Sequence, residues 1–275
     1  MNRLPKLIAL LSFSLSAFAQ EGFYHGAEAG KPTAQRNVFV GSNDTVFPHF
    51  ATGGGVGGWE TILVLINMSP NAVSFSQDFY GQNGQPLAVT FRSIPEGVVT
   101  TASHVNGVLP ANQSFNILLE NTGPVTRVGW SSITYDSTLQ RLGGYGIFRQ
   151  VYSPSKVFEA LVPLTAYDDD TFYMPFDNLE GFATGLALVN PGSFTTSVHI
   201  IARSLRGDFL GQKDLVLPAG NQTTYNLATE FPAIGGKAGT ILIQGSTNRL
   251  AGIGFRFNLA GGGAFTSIPI LNWSG

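Results

Sequence analysis

The sequence predicts an all-β protein of two tandem antiparallel β-sandwich domains behind a cleaved leader, and three observations predict it. First, Thr61-Ile62-Leu63-Val64-Leu65-Ile66-Asn67 returns as Thr184-Gly185-Leu186-Ala187-Leu188-Val189-Asn190, and the same ungapped spacing carries Gly84 onto Gly207. Internal self-similarity at such a period implies two copies of one small unit. Second, short runs rich in Val, Ile, Thr and Phe are cut by Gly, Pro and Asn about every ten residues, the pattern of strands joined by turns. No stretch after the leader combines a helical period with caps. Third, the chain opens like an exported protein and contains no cysteine, so its units must fold on their cores alone.

The leader is residues 1–19. Arg3 and Lys6 form the basic front, Leu7-Ile8-Ala9-Leu10-Leu11 the apolar part and Ala17-Phe18-Ala19 the cleavage site. The apolar part falls well short of the ~20 residues of a spanning helix, so the mature chain is expected to start at Gln20 and to be extracellular, on the cell surface or periplasmic. Residues 20–46 lie outside the repeat and are read as a lead segment.

The first sandwich is assigned to 47–165, with strands expected near 60–66, 73–80, 86–92, 114–119, 126–135, 142–150 and 158–164. Seven strands in about a hundred residues is a sandwich count. Asn83-Gly84 between two alternating runs predicts a hairpin that sets 73–80 against 86–92. Residues 166–173 are read as a linker so short that the two units touch. The second sandwich, 174–275, repeats the plan near 182–190, 197–205, 213–217, 222–227, 238–244, 250–257 and 264–270. Its landmarks keep step: Leu109-Pro110-Ala111 with Leu217-Pro218-Ala219, Gly129 with Gly239, Gly144-Tyr145-Gly146 with Gly252-Ile253-Gly254, and Val162-Pro163-Leu164 with Ile268-Pro269-Ile270. The paired glycines are expected to serve packing, where a bulge or a facing sheet comes close.

Charge and motifs narrow the function classes. Loss of Arg3 and Lys6 with the leader takes the formal net charge from −2 to −4, and charged residues are only 12% of the chain, which argues against nucleic acid. Gly53, Gly55 and Gly58 spell the letters of a dinucleotide loop, but they lead into a strand, whereas that loop must open a helix. Asp168, Asp169 and Asp170 with Asp177 and Asn178 supply oxygen ligands of the kind calcium takes, at a spacing that matches no calcium loop. His25, His49, His104 and His199 have no metal-site spacing, and His199 reads as a strand-face residue. No nucleophile elbow occurs. Glu60, Asp78, Glu159 and Glu230 are the acids from which a glycosidase pair would have to come. Trp59, Trp130, Tyr80, Tyr145, Tyr152, Tyr167, Tyr173 and Trp273 are the polar-edged aromatics; Trp130 reads as core, and Trp59, beside the glycine loop, as the one to test for sugar stacking.

Phe47-Pro48-His49-Phe50, Leu65-Ile66-Asn67, Gly81-Gln82-Asn83-Gly84-Gln85-Pro86-Leu87, Phe176-Asp177-Asn178, Leu188-Val189-Asn190-Pro191 and Gly254-Phe255-Arg256-Phe257 resemble a little-characterised group of exported bacterial proteins with tandem immunoglobulin-like sandwiches. The resemblance implies surface or matrix modules and supplies no catalytic, cofactor or metal residue. The expectation is therefore a non-enzymatic interaction or structural module for a protein or glycan partner, through loops or sheet edges. A carbohydrate-binding or glycan-active protein is the first alternative. An outer-membrane barrel is the second, although Ile62-Leu63-Val64-Leu65-Ile66, apolar on both faces, suits a sandwich better than a wall around a polar lumen.

Overall fold

A computed structural model describes residues 45–135, 141–166, 170–247, 249–260 and 262–272. The leader, the lead segment up to residue 44, His25, Tyr167, Asp168, Asp169 and Trp273 lie outside the described residues.

The chain is all-β. Its amino-terminal half gives β1 (Thr45–Thr52), β2 (Gly58–Asn67), β3 (Val73–Gly81), β4 (Val89–Ile94), β5 (Val99–Ala102), β6 (His104–Leu109), β7 (Ser114–Leu119), β8 (Arg127–Tyr135), β9 (Leu142–Ser153), β10 (Lys156–Pro163) and β11 (Thr165–Ala166). The carboxy-terminal half gives β12 (Thr171–Asp177), β13 (Phe182–Val189), β14 (Thr196–Ser204), β15 (Phe209–Leu217), β16 (Gln222–Asn226), the one-turn helix α1 (Leu227–Glu230), β17 (Ala238–Gly245), β18 (Ala251–Asn258), β19 (Phe265–Ile268) and β20 (Leu271–Asn272).

The strands form four antiparallel sheets, none closed. Sheet A runs β11-β1-β8-β3-β6 and sheet B β10-β9-β2-β7-β4-β5; sheet C runs β15-β14-β17-β12-β20 and sheet D β16-β13-β18-β19. Read from β20, sheet C has the order of sheet A strand for strand. Sheet D has the order of sheet B once β4 and β5 are set aside. The first half thus carries one additional strand pair, and the second half places α1 and a 3-10 turn (Pro232–Ile234) after β16 instead.

Local chemistry agrees between the halves at several points. Asn67, fully buried, donates its amide to the carbonyls of Asn71, Leu109 and Pro110 at 2.8–3.1 Å and accepts from the Ser69 N–H. Asn190 does the same with Phe194, Leu217, Pro218 and Gly192. A buried amide with every group paired fixes the loops it ties. Thr61 bonds both backbone groups of Ala51, and Thr184 those of Asp177. Gly129 and Gly239 share one constraint: a Cβ would lie 2.1 Å from the Tyr80 carbonyl oxygen in the first and 1.9 Å from that of Arg203 in the second. At the paired glycines, a Cβ on Gly254 would meet the Met174 sulfur at 2.3 Å, so that position is a close approach of the facing sheet.

Phe47, Phe50, Leu63, Leu65, Phe79 and Ile117 fill the space between sheets A and B, and Met174, Phe176, Leu186, Leu188, Ile200 and Ile241 that between C and D. A third cluster joins the halves: Trp59, Phe148 and Val162 from the first with Ala187, Ile253, Phe255 and Phe265 from the second. Sheet D is therefore buried on both faces, which explains why Leu186-Ala187-Leu188-Val189 has no polar side. Both faces of a central strand read apolar when both are covered.

The structure corrects three expectations. The Asn83-Gly84 turn forms, with Gly84 at φ 73° and Tyr80 bridged to Pro86, but 73–80 and 86–92 do not become a ladder. Pro86 has no N–H to continue it, and β4 crosses to sheet B, where Val89 and Phe91 enter the core; β3 pairs with β6 and β8. In the second half the corresponding hairpin does continue, as β14 with β15. Next, the segment read as linker is strand at both ends: Ala166 pairs with Thr45 of the lead, and Thr171 begins β12. Finally, β1, β5 and β6 form where no strand was expected. Short length, Pro48 and Gly107 mask the alternation that would have marked β1 and β6.

Candidate functional site

A concave site lies between the halves. It is a cleft of about 70 Å³ walled by Ala51, Trp59, Val128, Phe148, Phe255 and Phe257, with His49, Gln150, Thr224 and Asn226 as its main polar members. That volume holds about two water molecules, far less than the few hundred Å³ of a typical small-molecule site.

His49 gives the cleft its character. It sits in β1 where the register against β8 shifts between Phe47 and Phe50. β12, the counterpart strand, pairs with β17 from Thr171 to Asp177 without such a shift. Pro48 matches Pro175, and Phe50 matches Phe176, the two phenylalanines lying against Gly129 and Gly239 of their halves. His49 is thus one added residue, accommodated by a bulge, and a bulge re-aims side chains. Its ring lies edge-on to Phe148 at 5.0 Å and to Phe255 at 5.4 Å, so it touches both halves. The residue is 7% exposed and its Nδ1 has no hydrogen-bond partner among the described residues. Burial lowers its pKa from 6.5 to about 4, because a cation in this apolar setting loses its hydration. The lining residues include no charged side chain.

Around the cleft the halves are cross-tied. The Trp130 indole donates to the Gly220 carbonyl at 2.8 Å, and Gln222 donates its amide to the Pro48 and Gly129 carbonyls at 2.6 and 3.0 Å. Gln82 accepts from the Gln222 N–H and donates to the Thr224 hydroxyl. Trp59 stacks on Phe148 at 4.3 Å and Tyr80 on Trp130 at 4.5 Å. None of this was legible from single segments, since each contact joins residues far apart in the chain.

The other residues singled out from the sequence lie elsewhere. Trp59 is 6% exposed and stands inside the joint, so it offers no ring to a sugar; Trp130 is core, at 1%. Of the acids, Glu60 and Glu159 share Arg149 at 3.4 and 2.8 Å, Asp78 pairs with His104, and Glu230 bonds Lys213. His199 pairs with Asp214 across β14 and β15 on an outer face. Asp177 accepts from the Leu179 N–H and, secondarily, from Arg256, which together hold its carboxyl below the usual range, and Asn178 is buried with bonds to Thr184 and Ile234. Asp170 accepts from the Thr171 hydroxyl. Among the described residues no three His, Asp or Glu side chains gather as a metal site. The glycine loop 53–58 enters β2, not a helix, and is tied down by Gly54 N–H to Gly123 and by Asn121 to the Gly55 carbonyl.

Among the described residues no helix is long and apolar enough to cross a membrane. No protein-family model matches the chain, and no curated protein matches it in sequence.

Proposed function

We propose that this chain is an exported, non-enzymatic interaction module made of two duplicated immunoglobulin-like sandwiches, and that it meets its partner through a sheet face. The reading rests on one comparison of faces. The outer face of sheet D is buried in the joint between the halves, whereas the matching face of sheet B bears Ile62, Ile66, Tyr145 and Ile147, each half-buried, around the buried Val64. Leu161 on the neighbouring β10 is 50% exposed. Contiguous apolar surface rimmed by charge, here Glu60, Arg149 and Glu159, marks an interaction surface. The duplication is supported by the matched sheet orders and by the twin Asn67 and Asn190 networks, and export by the leader.

The test is display of labelled residues 20–275 on a glycan array, with and without calcium, and on envelope and secreted-protein fractions of the source cell, beside the Ile147→Glu variant. Binding that the variant loses supports the sheet-face reading. Saturable glycan binding that it retains moves the protein into the carbohydrate-recognition class.

A further inference from the structure

The joint inside the chain has a donor side and an acceptor side, and each has a counterpart that the chain leaves outward. The donor side is the outer face of sheet D: Phe255 and Phe265 reach Phe148, and Thr224 takes the bond from Gln82. Its counterpart is the outer face of sheet B, because β9 matches β18, β2 matches β13 and β7 matches β16 in sheet order. Ile147 stands at the place of Phe255, Val64 at that of Ala187 and Asn116 at that of Thr224. Asn116 Oδ1 is buried and has no hydrogen-bond partner among the described residues, where Thr224 accepts across the joint. The loop before it also repeats: Asn112 (φ 60°) holds the place of Gly220 (φ 72°), whose carbonyl receives the Trp130 indole.

The acceptor side is the region of Pro48, Gln82 and Trp130 on sheet A with Trp59 and Phe148. Its counterpart in the second half is Pro175, Leu205 and Thr240 on and beside sheet C with Phe182 and Arg256. Leu205, at the place of Gln82, is 79% exposed. The Arg256 guanidinium lies 3.3 Å over the Phe182 ring, where the first half stacks Phe148 on Trp59.

The operation that carries the first half onto the second therefore carries the donor onto the used donor and the acceptor onto a free one. We propose that this protein assembles head to tail, the sheet B face of one copy seating on the sheet C and Phe182–Arg256 face of the next. The proposal rests on the interaction-module reading and names its partner as a second copy of this chain. A repeated heterologous contact of this type builds open filaments rather than symmetric dimers. At the end where the internal joint sets Phe257 and Phe265 against Trp59 and Phe148, the outward faces set Arg149, Glu60 and Glu159 against Arg256 and its partner Asp177. Charged groups of both signs thus replace aromatic packing there, so the contact is weaker than the internal one and, where Glu60 or Glu159 meets Arg256, loosens with salt.

The experiment is sedimentation velocity of residues 20–275 over a wide concentration range, at low and high salt, with Ile147→Glu on the donor face and Leu205→Glu on the acceptor face. Both variants are checked for unchanged circular dichroism and unchanged melting of the monomer. Expected are species growing with concentration, shrinking in high salt and absent from either variant alone. A mixture of the two variants is expected to stop at one-to-one dimers, because each then supplies one intact face. A monomer at all concentrations overturns the proposal. A symmetric dimer that the mixture cannot rebuild overturns it as well. Either result leaves the interaction-module reading standing, since the array and fraction binding of the same sample tests that separately.

Discussion

Strands β1 and β12 hold the same place in their sheets, and they differ by one residue. β12 pairs with β17 without interruption, whereas β1 spells Phe47-Pro48-His49-Phe50 and bulges against β8 to admit His49. β1 already meets the second half through Val46, Ala51 and the Pro48 carbonyl, and the bulge adds an imidazole pointed at Phe148 and Phe255. The lesson is that two halves with the same sheet orders differ through small insertions between matched anchors. Asn67 and Asn190 hold the loops of each half alike, and the bulge, the β4–β5 pair and α1 carry what differs.

The comparison can be broken most severely at the aromatic joint. Phe148→Ala removes a ring that contacts His49, Trp59, Phe255 and Phe265, and about 3–5 kcal/mol of stability is expected to go with it. Arg256→Ala, at the matching position of the second half, removes a half-buried ion pair and a ring contact and is expected to cost about 1–2 kcal/mol. Urea unfolding of both variants reads the difference, and equal losses would refute the asymmetry.

Acid comes next in size. The folded pKa of His49, about 4, lies below its unfolded value of 6.5, so the folded state binds the proton less well. The stability that the neutral ring contributes is complete above about pH 6.5, falls as the pH drops towards 4 and levels off below, a change of about 3 kcal/mol. His49→Phe is expected to remove this component. Thermal melts from pH 7 to 4 on both proteins check it, and parallel curves would show that His49 does not titrate in the joint.

The twin asparagines sharpen the similarity. Asn67→Ala and Asn190→Ala each leave three carbonyls without their donor, and losses of about 2–3 kcal/mol are expected, equal within error. A large inequality in chemical denaturation would mean the two networks are alike in geometry only. The smallest effect is expected at the outer His–Asp pairs. His104→Ala and His199→Ala are each predicted to change stability by under about 1 kcal/mol, because both pairs are solvent-exposed.

Much of this architecture was readable from the chain by itself. Period-two alternation, turn residues and the repeated phrases mark most strands to within a few residues, because side-chain direction and turn geometry are local properties. β7 falls where the sequence places it, at 114–119. Two things escaped local reading. Proline and glycine inside β1 and β6 hid real strands, whose pairing is stabilised by neighbours distant in sequence. The Asn83-Gly84 turn signals a hairpin that core packing then redirects, since burying Val89 and Phe91 outweighs extending a ladder at Pro86.

The joint was decided by tertiary structure alone. Composition could say that Trp59 is an aromatic beside a glycine loop, but only the docking of sheet D decides that it is stacked, covered and unavailable to a ligand. Likewise the sequence shows His49 as one of four histidines, and only the bulge and the approach of Phe255 make it a desolvated group. Local rules determine strands and turns because they act through neighbouring dihedrals. Burial and pKa depend on which faces meet, and that is a property of the assembled halves.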